Sequence, residues 1–199
     1  ALPSSRGKVE RHDGYSYLVL HAPRWSPIDQ TSERGEVDCI VTDRALITVT
    51  YGELEPVTTF AERVRGEDPA LARATSTAEL LHAFVLGIDE FSLRQLRHVE
   101  EKVRRVGAEL FRRQDRALLE EVSRIKRDVL DFSIIAASQR TTVESLAETG
   151  ASLWGQAESI YLSDLVGSSL KIDYLVERLR ATIESHSETL SQLFAVKAS

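Results

Sequence analysis

The chain has 199 residues, 42% hydrophobic and 28% charged, with Lys+Arg 25 against Asp+Glu 31. That length can bury a real core, and a net charge of −6 argues against bulk nucleic-acid binding, which needs a basic surface to displace counterions. The single Cys39 cannot form an internal disulfide, methionine is missing, and no apolar run approaches the ~20 residues that span a bilayer.

The first third reads as strands and turns. Residues 15–22 (YSYLVLHA) form a β-rich run entered through the turn dipeptide Asp13-Gly14 and closed by Pro23, and residues 27–35 are loop by composition. Residues 36–42 and 45–51 flank Asp43-Arg44 as a hairpin, with alternation that predicts a half-buried sheet. Pro56 fits the first turn of a short helix over 56–65, since its missing N–H would have no partner there.

From Thr77 the period changes to helical. Leu81, Phe84, Val85, Ile88, Phe91, Leu96, Val99, Val103, Val106 and Leu110 recur at three- and four-residue steps. A second helix follows from about 115 to 144, and Gly150 with its Ser/Thr neighbours predicts a break. The last segment is the most regular. Leu162, Ser169, Val176, Ile183 and Leu190 are spaced by seven, and Leu165, Ile172, Leu179, His186 and Leu193 follow three residues later. This a/d pattern predicts a helix roughly 60 Å long that needs partners along its length. Leu165, Ile172, Leu179, Ile183, His186, Leu190 and Leu193 are therefore expected to form an oligomer seam. The fold class expected is α+β, dominated by helix. It divides into a small mixed α/β sheet domain (1–76), a long antiparallel helical hairpin (77–146) and a long stalk helix (147–199).

Chemistry is sparse. The sequence has no CxxC, HExxH, GxSxG, P-loop or GxGxxG pattern. Cys39 reads as a small buried hydrophobe, His12-Asp13 as part of a turn, and His82 and His98 as helix-surface residues. The arginines of 94–105 lie one turn from glutamates that neutralise them. No enzymatic function is expected. Glu184 and Glu188 lie four apart beside the seam, where like charges are unfavourable unless a cation or a basic partner relieves them.

Four stretches in order carry a resemblance. Residues 6–23 (RGKVERHDGYSYLVLHAP), 36–57 (EVDCIVTDRALITVTYGELEPV), 80–103 and 120–132 together resemble the soluble region of the CorA family of magnesium transporters. Gly7 stands where that family usually has proline. The resemblance implies the cytoplasmic part of an inner-membrane protein, with the stalk helix running toward transmembrane helices and a Gly-Met-Asn pore signature outside this sequence. It also implies a homopentamer, and Mg²⁺ as both regulatory and transported ion, with Co²⁺, Ni²⁺ or Zn²⁺ as other cargo. Cations bound between subunits would gate the pore, and Glu184 and Glu188 are the nearest carboxylates to the position expected on the stalk. No nucleic acid is implied. The competing expectation is a soluble coiled-coil adaptor without a transport role.

Overall fold

The computed structural model describes residues 5–198. Four strands come first: β1 (Lys8–His12), β2 (Tyr15–Ser26), β3 (Thr31–Val41) and β4 (Leu46–Thr50). They pair in chain order as an antiparallel meander, with His12 opposite Tyr15, Leu18 opposite Cys39 and Ile40 opposite Ile47. Asp13-Gly14 makes the first hairpin, and Gly14 takes φ 80°, which glycine adopts without steric cost. Helices α1 (Glu55–Arg65) and α2 (Pro69–Ala72) follow, then three long helices: α3 (Thr77–Glu109), α4 (Arg116–Trp154) and α5 (Ser159–Ala198). The α+β class expected from the sequence is the class observed.

Pro23 does not end β2, which runs three residues further. His21, two residues earlier and therefore facing the same edge, turns its N–H away from β3 toward Gln139 Oε1 on α4, 3.1 Å away. The nitrogen of Pro23 points to that same outer side, beyond the end of β1, so no ladder bond is lost. Here α4 takes the place of a strand: its Thr142 hydroxyl also donates to the Val19 carbonyl at 3.0 Å. Gly7 lies so close to α4 that a Cβ would stand 2.6 Å from Thr142 Oγ1.

The core has two continuous parts. One face of the sheet (Leu18, Leu20, Val37, Cys39) packs on Leu81, Phe84, Val85 and Ile88 of α3, with Val143 and Leu146 of α4 and Leu162 and Leu165 of α5. Further along, Val99, Val103 and Val106 of α3 meet Val122, Val129 and Phe132 of α4 and Ile172, Val176 and Ile183 of α5. Each such aliphatic side chain contributes about 1.5–3 kcal/mol by leaving water. Caps set the long helices: Ser76 Oγ accepts from Glu79 N at 3.2 Å, and Asp115 Oδ1 from Leu118 N at 2.8 Å. Each cap is worth about 1 kcal/mol.

The helix break lies at Gly155 (φ 91°), not at Gly150, which stays inside α4. Gly150 serves contact instead of turning. An ideal Cβ there would stand 1.9 Å from Leu162 Cδ1, whose side chain is fully buried. Gly150→Ala should therefore cost about 1–3 kcal/mol by overpacking, outweighing the roughly 1 kcal/mol that alanine normally gains in a helix. Denaturant melts check this, and a more stable variant would show that α5 can move aside freely.

Candidate functional site: the two faces of the last helix

The heptad stripe on α5 is spent inside the chain. Leu165 and Ile183 are completely buried, as is Leu190, and Ile172 and Leu179 are nearly so, against the chain's own α3 and α4. Leu193 is half-buried. His186 lies over α3, where Gly107 leaves room for the ring: a Cβ at Gly107 would stand 2.7 Å from His186 Nε2. Burial lowers the His186 pKa, against a hydrogen bond from the ring to the Val103 backbone carbonyl that pulls it up. The expected seam between copies is thus a seam between helices of one chain. A period of 3.5 residues is satisfied equally by either partner. Ion pairs tie the same helix down: Arg140 of α4 meets Asp173 at 2.8 Å, and Arg178 meets Glu100 of α3 at 2.7 Å.

The opposite face of α5 is open. Ile160, Gly167, Tyr174, Ala181, Glu188 and Ala195 recur every seven residues and all are exposed. Tyr174 is 68% exposed and Ile160 69%. Leu170, also exposed, widens the stripe. Large residues alternate along it with Gly167, Ala181 and Ala195, a pattern that lets a second helix approach closely. Glu188 belongs to this face. Glu184 is half-buried at its margin, 3.7 Å from Arg180.

Among the described residues no group of three or more His, Cys, Asp or Glu side chains converges as a metal would require. Mg²⁺ commonly takes only one or two carboxylates and keeps several waters. A single copy supplies Glu188, with Glu184 already shared with Arg180, so a complete shell would need oxygens from another copy or from water. His12 stacks on Tyr15 at 4.7 Å, and His82 pairs with Asp164 at 2.8 Å, linking α3 to α5. Cys39 is buried, which pushes its thiol up to about 12 and leaves it unreactive.

Three buried polar groups escaped the sequence reading. Asp89 is completely buried where α3, α4 and α5 meet, and neither carboxylate oxygen has a hydrogen-bond partner. Burial pushes its pKa up to about 7, and the nearby Ser168 and Gln139 side chains, which fall short of hydrogen-bond geometry, pull it back only in part. His21 is also fully buried, with Ser138 Oγ 2.8 Å from Nδ1, and burial brings its pKa down to about 4, helped by Arg34. Asp128, 2% exposed, accepts from Ser32 N at 2.8 Å. For the two acids the available signal was a place on an apolar stripe: Asp89 follows Val85 by four residues, and Asp128 follows Ile125 by three.

No curated protein sequence matches the chain. Solved structures do. The complete CorA magnesium transporter from Methanocaldococcus jannaschii is 14% identical with TM-score 0.84, over 97% of this chain and 60% of that one. The soluble domain of CorA from the same organism is 15% identical with TM-score 0.82, over 94% of this chain and 74% of that one. The ZntB cytoplasmic domain from Vibrio parahaemolyticus is 14% identical with TM-score 0.77, over 98% and 75%. At these identities the likeness establishes the fold, and the chain spans 60% of the complete transporter's length. The sequence model described as CorA-like Mg²⁺ transporter protein matches residues 2–198, nearly the whole sequence, and with it the chain belongs to the CorA-like family.

Proposed function

We propose that this chain is the cytoplasmic regulatory part of a CorA-like divalent-cation transporter. Its cargo ion is Mg²⁺, with Co²⁺, Ni²⁺ or Zn²⁺ as further candidates. The full protein would sit in the inner membrane as a homopentamer with this region facing the cytoplasm. No described helix is long and apolar enough to cross a membrane. The observation that carries the reading is the divided α5: one face is packed into its own chain, and the other presents an unbroken exposed stripe suited to a copy of itself.

On this reading the stalks associate through Tyr174, Ala181 and their heptad neighbours, and Glu188, seconded by Glu184, supplies oxygens to a Mg²⁺ shared between copies. The ion acts by binding the associated arrangement more tightly than the separated one, which linkage requires of any regulator. The domain binds and transmits without catalysing a reaction.

Sedimentation velocity with and without millimolar Mg²⁺ tests both halves. Mg²⁺ should raise the associated fraction and the melting temperature, and Glu188→Ala should remove most of that response while leaving the ion-free melt within about 0.5 kcal/mol of the parent. An unchanged response in Glu188→Ala would assign the ion elsewhere. Association without any Mg²⁺ effect would favour a coiled-coil adaptor.

A further inference from the structure

The tip of the β2–β3 hairpin leans over α3 and α4 and encloses a cleft of about 280 Å³. Its charges do not balance locally. At the rim Arg105 and Glu121 neutralise each other at 2.6 Å. Arg124 touches only the neutral side-chain oxygen of Gln30, at 3.0 Å, and makes no ion pair among the described residues. Gln30 reaches it from a backbone at φ 54°, a conformation uncommon for any residue but glycine. Lys102 stands over the Trp25 ring at 4.5 Å, with its ammonium 3.8 Å from Asp128 Oδ2, too far for a hydrogen bond. Asp128 is the one deeply buried charged side chain lining the cleft. Oδ1 holds the hairpin through Ser32, and Oδ2 has no donor at all.

Two cations with donors to spare thus face one buried acceptor that lacks a donor. A metal ion would be repelled by Lys102 and Arg124. A fully deprotonated anion would satisfy them but set its charge against Asp128. A ligand with acceptor oxygens on one side and an O–H on the other completes every group. We propose that this cleft binds a small protonated oxyanion of the phosphate class, with Lys102 and Arg124 on its anionic oxygens and Asp128 accepting its O–H. Bound there, the ligand would connect α3, α4 and the hairpin tip, and so link the sheet to the helices at a point remote from the exposed stripe of α5.

Phosphate and sulfate separate this site from a general basic patch. At neutral pH phosphate keeps a proton and sulfate has none, while size and geometry are alike. Titration calorimetry on the 199-residue chain at constant ionic strength should show saturable binding of inorganic phosphate, at least about tenfold tighter than sulfate. Asp128→Asn keeps an acceptor for Ser32 but offers an N–H to the ligand, so it should erase or invert that preference. Arg124→Gln, at an exposed position, should weaken phosphate about tenfold without lowering the melting temperature. A parallel titration with glycerol phosphate tells the source: tighter binding than inorganic phosphate points to a phosphate monoester, weaker binding to the free ion. Equal affinity for phosphate and sulfate, or an unchanged affinity in Arg124→Gln, overturns the assignment.

Discussion

Asp89→Asn should gain on the parent protein by about 3 kcal/mol in unfolding free energy between about pH 5 and about pH 8. The sign follows from the buried carboxyl. Its folded pKa of about 7 lies above the ordinary 3.8, so between those values the native state holds a proton that the unfolded chain has lost. The stabilisation linked to that proton is full below 3.8 and disappears as pH rises through about 7. His21 has the opposite slope. Its folded pKa of about 4 lies below the ordinary 6.5, so its contribution is full above 6.5 and is lost as pH falls toward 4. His186, also lowered, adds to the same limb. The two fully buried groups nearly cancel across the mildly acidic range, giving the parent a flat stability profile there. Asp89→Asn should uncover the histidine limb, a rise of up to about 1.4 kcal/mol per pH unit. Urea melts at several pH values measure it. A parent profile that already rises steeply, unchanged in the variant, would mean that Asp89 is ionised in the folded protein.

Ile183→Ala should destabilise the isolated chain by about 2–5 kcal/mol, to the same extent at every protein concentration. Ile183 is fully buried between α3 and α4, and truncation there opens a cavity inside one molecule. Tyr174→Glu, on the opposite face, should leave the dilute chain within about 0.5 kcal/mol and act only on self-association. Melts at low and high protein concentration, paired with sedimentation, distinguish the two faces. If Ile183→Ala altered association alone, α5 would have to leave its place and pair with another copy.

The helices were readable because long apolar periodicity admits few alternatives, and the stripes on α3 and α4 point where the packing needs them. The use of the α5 stripe was not readable. Leu165, Ile172 and Leu179 repeat with a spacing that fits a neighbouring chain or a neighbouring helix equally, and only the fold says that α3 and α4 arrive first. β1 escaped notice because KVERH has one aliphatic residue and no alternation, as befits a charged edge strand. The extension of β2 was hidden by Pro23, whose tolerance depends on a helix and not on local propensity. The family resemblance was legible in four ordered stretches, yet the carboxylates at Glu184 and Glu188 gained a direction only when α5 acquired an inside and an outside.

The hydrogen bonds from α4 to the backbone of β2, at and beyond the end of its pairing with β1, bear on how force travels through the molecule. A helix that merely rests on a sheet can slide over it at little cost, because apolar contacts are non-directional. At His21 and Val19 the helix is instead stitched to the backbone of the strand through Gln139 and Thr142. Sliding by one turn would strand buried amide and carbonyl groups, so α4 and the sheet behave as one rigid plate. A displacement of α5 therefore reaches the plate as a whole, through its buried stripe and the Arg140–Asp173 pair, while the turn at Gly155 only joins the two helices at one end.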